Sequence, residues 1–549
     1  MLMTTQDTDL VERVLARHDT LVSERQMREP LWQEAEKWTD PDMAGGFFSQ
    51  TPGQQRDAHL FDSTAPMGLE TFEATNAGML CPPGEQWSQV ESTDGALNAL
   101  PAFRAWAAHA ADRLHACRNA PFTGYGSQSS LRWRHLGVYG TAALWVDEWV
   151  GRGLFYKAVH LSEIYIDEDF RGRPDTVHRQ FDLTARQAAQ MFAPDQLPPR
   201  VRQALVDNKP DTKSCYVHVL RPNNSWEPGR LDAQRFAVQS LYLNVDEKCL
   251  VATGGYHTIP LIVSRYDLSP GDQYGRSPAI KVLGTIRQLN VMSKSLMRAT
   301  HIAVNPPMLT PSDGSFNRMS MSPGKGIPGG MVRGMRQIEP LLTGTNLPAG
   351  LEYMTHYQET VKHAFLMHVF QIMNAPIDRQ TATEFIGRKR EAMLLQAPNS
   401  ERQMTESLAP QVERELDILM RAGQIAKPPP EFYEAGAGVR FIFDNPITRA
   451  AASAKAQNLA TFIQAMEPFA SIDPTVFDLL KNDRLARNQA VNYGVDPDDL
   501  STPKELADMR QARSVQQGIS TLSQAAQPAS QAALNLAKAR SLAEGGAGA

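Results

Sequence analysis

Residues 265–311 read RYDLSPGDQYGRSPAIKVLGTIRQLNVMSKSLMRATHIAVNPPMLTP. The phrase from Ser269 to Pro278 is dense in turn formers. Ser277 stands where an N-cap belongs and Pro278 fits the first helical position, where a missing N–H is no loss. A helical pattern then holds to Ala303 and meets Asn305-Pro306-Pro307, which cannot continue it. That predicts one helix of roughly 39 Å at 1.5 Å per residue. So long a helix, stopped so sharply, is a structural strut more than a catalytic loop.

Its faces differ. With Arg287 at zero and steps of 100° per residue, Lys294 falls at about −20°, Arg298 at about +20° and His301 at about −40°. Val282, Ile286, Leu289, Met292, Leu296, Met297, Ala299 and Ala303 fall on the other side and form the expected packing face. Ile280, Leu283 and Val291 intrude on the basic stripe. The stripe is either a solvated face or a surface turned to a polyanion. Arg388-Lys389-Arg390, and Arg333 with Arg336 beside a Gly-rich loop, are further basic sites with the same two readings.

Working outward, residues 6–38 carry a helical apolar pattern that Pro30 kinks or restarts, 39–58 read as a loop, and helices are expected at 63–80, 102–118 and 127–139. From Ala142 the texture changes to short β-branched and aromatic runs: ALWVDEWV, GLFYKAVHL and EIYIDEDF. Short helices are expected over 184–206, and strands return between 214 and 263. Residues 305–350 read as strands and loops. Residues 351–373 form an amphipathic helix with Leu351, Met354, Val361, Phe365, Val369 and Ile372 on one face. A helical stretch follows from Thr383 to Gly423, and Pro428-Pro429-Pro430 marks a linker or boundary. Residues 514–549 lack aromatics; they are either a disordered tail or a helix ordered by neighbouring subunits, with Val515, Ile519, Leu522, Ala526, Ala529, Ala533 and Leu536 at heptad spacing.

The 549 residues hold 55 basic and 60 acidic side chains, a net charge of −5. That balance disfavours a surface that grips nucleic acid throughout, but not one that lets it pass. Cys81, Cys117, Cys215 and Cys249 form no CxxC pair, so neither a zinc site nor a disulfide framework is expected. The N-terminus lacks the apolar core of a signal peptide, and no run approaches 18 uncharged apolar residues. The expectation is a chain soluble and cytosolic when made, with no membrane partner.

There is no GxxxxGK[ST], HExxH or GxSxG. Asp147-Glu148 and Asp167-Glu168-Asp169 fit solvated turns better than a metal site, and His356, His363 and His368 do not share one helix face. No catalytic residue, metal or cofactor is expected.

The order of phrases along the chain says more than any one of them. Trp32…Trp38…Pro41 is followed by Arg56 and Phe61-Asp62-Ser63-Thr64-Ala65. Then come Gly78-Met79-Leu80-Cys81-Pro82-Pro83-Gly84-Glu85-Gln86-Trp87 and Val138-Tyr139-Gly140-Thr141-Ala142-Ala143-Leu144. Pro270 to Ser277 with its helix, Asn305-Pro306-Pro307, and Thr381-Ala382-Thr383-Glu384 with Arg388 and Glu391 complete the series. Across residues 8–425 the chain resembles the portal proteins, or head-to-tail connectors, of short-tailed, podovirus-type bacteriophages.

The resemblance implies an α+β, mainly helical portal fold with wing, stem, clip and crown regions, assembling into a ring of twelve subunits at one capsid vertex. It implies an N-terminal wing (1–180), stem-proximal helices (181–211), a clip (212–276) and a stem helix (277–304). A second wing part (305–425) would hold a tunnel loop at 339–350 and the 351–373 helix, and 426–549 would be crown and tail. Implied partners are double-stranded DNA in the channel, the terminase large subunit that drives packaging, scaffold and major capsid protein, and a tail or adaptor protein. Assembly would occur in the host cytoplasm and the product would reside in the virion. Arg287, Lys294, Arg298, Arg333, Arg336, Arg388, Lys389 and Arg390 are the candidate DNA-channel residues. The competing readings are a DNA-binding scaffold or minor capsid protein without a channel, and an enzyme with a dispersed site.

Overall fold

The structure is a computed structural model. It describes residues 5–43, 46–47, 56–227, 229–230, 235–304, 308–309, 331–332, 335–336, 339–340, 347–369 and 399–449, with scattered positions beyond. The chain divides into two compact units, Met1–Thr448 and Arg449–Ala549.

The first unit opens with helices α1 (Thr5–Gln26) and α2 (Glu29–Thr39). Pro30 lies in the first turn of α2, so it restarts the helix and does not kink it. Helix α3 (Thr64–Leu80) stops ahead of Cys81-Pro82, and α4 (Pro101–Arg118) begins on a proline. Helix α5 (Tyr125–Tyr139) is the centre of the core: Trp133, Leu136 and Tyr139 are buried among Trp32 of α2 and Leu69 and Phe72 of α3.

Strand β1 (Ser88–Ser92) precedes α4. Strands β2 (Thr141–Trp149) and β3 (Gly153–Val159) form a hairpin that is packed against α5. Next come β4 (Ile164–Glu168), β5 (Pro174–Thr184), helices α6 (Ala185–Met191) and α7 (Pro199–Val206), and strands β6 (Lys213–Pro222), β7 (Val238–Asn244), β8 (Cys249–Tyr256) and β9 (Leu261–Arg265). Strand β9 returns to β2, giving an antiparallel sheet β3-β2-β9, while β4-β5-β6-β7-β8 is an antiparallel meander. The alternation of β6 explains its two coverings. Val217 and Val219 meet Val11 and Val14 of α1 on one face, and Tyr216 meets Ala188 and Phe192 on the other. Thr184 and Gln187 close a capping box that turns β5 into α6.

Two sequence-based divisions differ from this arrangement. The meander crosses both the 180/181 and the 211/212 bounds, because β5 pairs with β6 from Val177↔Leu220 to Thr184↔Lys213. Helices α6 and α7 cover this sheet. Strand β5 carries few apolar residues (PDTVHRQFDLT), so its sequence shows little of its place between two partners.

Past β9 the long helix is broken. Helix α8 (Pro278–Lys281) ends at Val282, whose φ of −113° and ψ of 17° leave helical geometry, and α9 (Leu283–Val304) runs 22 residues. The strut is therefore about 33 Å long at 1.5 Å per residue. Strands β10 (Met308–Leu309), β11 (Met331–Val332), β12 (Met335–Arg336) and β13 (Glu339–Pro340) pair as β10-β13 and β11-β12. Helix α10 (Leu347–Ala364) starts four residues before the expected 351, so residues 347–350 of the expected tunnel loop are its first turn. It is interrupted early: Leu366 takes φ 63°, and residues 367–369 are again helical up to the edge of the described residues. Val361, Phe365 and Val369 are buried as expected, whereas Leu351 is exposed; Ile372 and residues 383–398 lie outside the described residues.

A π turn at Met404–Leu408 leads into α11 (Ala409–Arg421). The triple proline is no boundary. Pro430 opens helix α12 (Pro430–Glu434), and β14 (Val439–Phe443) pairs with β1 from Ser88↔Phe443 to Ser92↔Val439, within the first unit. In the second unit residues 505–514 are helical, and Arg510 pairs with Asp483. The heptad-spaced residues 515–536 lie outside the described residues. Among the described residues no helix is long and apolar enough to cross a membrane.

Candidate functional site

The phrases that stand far apart in the sequence meet at the base of α9. Ser277 caps α8 by accepting from the Ile280 N–H at 2.9 Å, and its hydroxyl donates to the Val138 carbonyl at 2.8 Å. The Gly275 N–H donates to Thr141 Oγ1 at 2.9 Å, and the Tyr266 N–H to the Gly140 carbonyl at 2.8 Å. Gly140 has φ 77°, and a Cβ there would sit 2.4 Å from the Ser277 nitrogen. A Cβ on Gly275 would sit 2.2 Å from the Gly140 oxygen. Two backbones touch here, and only glycine on both sides permits it.

The Phe61-Asp62 phrase joins the same place. Asn290 of α9 is buried and its Oδ1 accepts from the N–H groups of Phe61 (2.9 Å) and Asp62 (3.2 Å). Gln358 of α10 donates to Asp62 Oδ2 at 2.8 Å. Helix α9 is thus fixed at its foot by α10, by the segment entering α3, and by the α5–β2 corner.

Beneath the junction lie buried ion pairs. Arg265, 1 % exposed, is held by Glu406 at 2.9 Å, by Glu168, and by the carbonyls of Gly172 and Gln273. Arg118 and Glu415 are fully buried together at 2.6 Å, with Tyr156 donating to Glu415 at 2.8 Å and Trp87 stacked 4.1 Å from the guanidinium. Arg414 pairs with Asp147 at 3.1 Å. The acidic clusters read from the sequence are largely engaged here: Asp147 with Arg414, Asp167 with Arg17, and Glu168 with Arg265. Asp169 accepts from the backbone N–H groups of Arg173 and Arg171, and these bonds hold its carboxyl below the usual range. Among the described residues no three His, Cys, Asp or Glu are grouped to hold a metal. His363 and His368 stack at 4.4 Å across the turn after α10.

Of the candidate channel residues, three are placed together. Arg287, Lys294 and Arg298 are exposed on α9. Arg287 pairs with Glu34 at 3.1 Å, and Lys294 lies 4.9 Å above the Phe61 ring. The three span about 17 Å of helix. Arg333 and Arg388-Lys389-Arg390 lie outside the described residues, as does the side chain of Arg336.

The packing face is rotated from the expected one. The buried residues of α9 are Leu283, Ile286, Leu289, Asn290 and Ser293, all in its first half, where α10 and the Phe61 segment cover it. Met297 and Ala303, expected to pack, are exposed, as are Val291, Ile302 and Val304. Hydrophobicity alone could not separate a residue covered within the chain from one left open. Asn290, at about −60° on the wheel with Arg287 at zero, stands at the border of the basic and apolar stripes, so its polarity gave little signal of the contact it makes. Arg118 and Glu415, about three hundred residues apart, had none.

A model of the family described as "Bacteriophage head to tail connecting protein" matches residues 11–500. The chain is 26 % identical over 515 residues to a probable portal protein of Bordetella phage BPP-1, covering 92 % of this chain and 91 % of that one. It is 23 % identical over 536 residues to the portal protein of Salmonella phage epsilon15, covering 96 % and 95 %. A solved chain from the virion of a native gene transfer agent particle overlays with a TM-score of 0.34 at 12 % identity, over 77 % of this chain and 93 % of that one, too low a score to bear on the fold. The family match spans the junction, α9 and the buried ion pairs beneath them: the chain belongs to the bacteriophage head-to-tail connecting protein family.

Proposed function

We propose that this chain is the portal subunit of a bacteriophage virion, built as a ring of twelve copies at one capsid vertex. The ring is the conduit for double-stranded DNA during packaging and ejection, and the docking point for terminase and for tail or adaptor proteins. Its role is structural. The carrying observation is the family match over residues 11–500, together with near end-to-end alignment to two portal proteins.

The physics of α9 supports the reading. Its foot is locked into the subunit, and its distal half leaves Met297 and Val304 uncovered to one side of the basic stripe, which suits contact with neighbouring copies in a closed ring. Arg287, Lys294 and Arg298 form a sparse basic stripe. Sparse cations guide DNA without holding it, since each added phosphate contact strengthens a salt-dependent grip. In this reading α8 and α9 are the stem, the β6–β8 strands belong to the clip, and the residues after 449 contribute to the crown. The test is phage assembly with this chain withheld. Heads should form without filling and without tails; filled, tailed particles would overturn the proposal.

A further inference from the structure

We propose that the cavity between α1 and the β5–β6 pair is a binding site for one tetrahedral oxyanion of the phosphate class. The inference does not depend on the portal reading. The cavity has a volume of about 200 Å³ and is lined by Arg13 and Arg17 of α1, Arg221 of β6, and Thr176 and His178 of β5, with Leu10 and Val14 as its apolar side. Arg13 and Arg17 are four residues apart and so share one helix face.

The charges there do not balance. Arg13 pairs with Asp9 and Arg17 with Asp167. Arg221 donates its Nε–H to the neutral amide oxygen of Gln239 at 2.9 Å and meets no carboxylate among the described residues. Three guanidiniums therefore line one cavity, and the two carboxylates that pair with them do not line it. Burial, and then the Arg13 charge, disfavour the charged form of Arg221, so the cavity gains by taking an anion. His178 adds a separate observation. It is 2 % exposed, it is stacked on His18, and its Nδ1 has no hydrogen-bond partner among the described residues. A buried polar atom left unpaired is costly, and an oxyanion or a water held beside it would satisfy it. Guanidinium forks converging from two elements suit a tetrahedral oxyanion, which offers acceptors in several directions.

Such an oxyanion is either free phosphate or a backbone phosphate of nucleic acid. The test is calorimetric titration of inorganic phosphate into the full-length chain at constant ionic strength near neutral pH. The expected result is saturable binding of one phosphate per chain. Loss of one charge-assisted contact should weaken it by roughly tenfold in Arg221→Gln and in Arg13→Gln. Arg202→Gln, on α7 and away from the cavity, should bind as wild type. Competition by a short DNA duplex assigns the phosphate to nucleic acid, and absence of competition assigns it to the free ion. No saturable heat, or undiminished binding in folded Arg221→Gln and Arg13→Gln, overturns the site.

Discussion

Ser277 and Val138, 139 positions apart, are joined by a 2.8 Å hydrogen bond from the serine hydroxyl, and the same hydroxyl oxygen caps the helix that leads to the strut. One side chain thus starts α8 and ties it to the end of α5. Ser277→Ala removes both bonds and should lower stability by about 1–2 kcal/mol, read as a shifted denaturant midpoint with an unchanged slope. An unchanged midpoint would mean that the cap contributes nothing.

Gly275→Ala should fare worse. Its new methyl carbon would lie 2.2 Å from the Gly140 oxygen, and that neighbour is backbone. The expected outcome is insoluble protein, or a melting temperature lowered by many degrees, whereas Gly271→Ala, which meets open space but takes φ 82°, should cost only about 1 kcal/mol.

The Arg118–Glu415 pair has no exposure at either end. Glu415→Ala leaves a buried guanidinium without its counter-charge and should cost about 3–5 kcal/mol. Replacing both, as Arg118→Met with Glu415→Leu, should recover most of that loss in a thermal melt. A double variant as unstable as the single one would show that the site depends on the network with Tyr156 and with Ser88, whose Oγ accepts from the Arg118 guanidinium at 3.3 Å.

Glu36 is 3 % exposed, with Oε2 accepting from the Tyr139 hydroxyl at 3.0 Å; burial pushes its carboxyl from the ordinary 4.5 up to about 7. Its folded-state value lies above its unfolded one, so the folded chain binds more protons between about pH 4.5 and 7. Stability should therefore fall as pH rises through that window and stay low above it. Glu36→Gln should flatten this slope and gain about 2–3 kcal/mol near pH 8. A variant with the wild-type slope would remove Glu36 from the account.

On α9, Arg287→Glu with Lys294→Glu breaks the exposed pair with Glu34 and should change stability by less than about 1 kcal/mol. Rings should form and DNA packaging should fail. Unimpaired packaging would make the stripe an ordinary solvated face. Leu289→Asp, placing a charge at a site 1 % exposed, should instead abolish folding.

The helix ends were legible where local chemistry sets them: Ser277-Pro278, Pro30, and the Gly140 corner after α5. The short strands from β2 to β9 were legible in their β-branched and aromatic runs, except for the polar β5. What escaped is non-local. Nothing near Val90 announces Phe441 as its partner, and nothing near the triple proline shows that β14 returns to β1. The basic stripe was legible as a pattern on α9, but its packing side was not, because the covering segments come from residues 61–62 and α10. The phosphate-lined motifs of nucleotide chemistry were absent from the sequence, while the Arg13–Arg17–Arg221 cavity needed the α1–sheet contact to bring its parts together.

The most direct test is cryo-electron microscopy of the purified full-length chain, alone and with its scaffold protein. A closed ring is predicted, with α9 beside the central channel, Arg287, Lys294 and Arg298 turned to the lumen, and Met297 and Val304, which lie about 80–100° round the helix from Arg287, covered by neighbouring copies. Monomers or dimers under every condition, or a ring in which the basic stripe is buried between subunits, would contradict it.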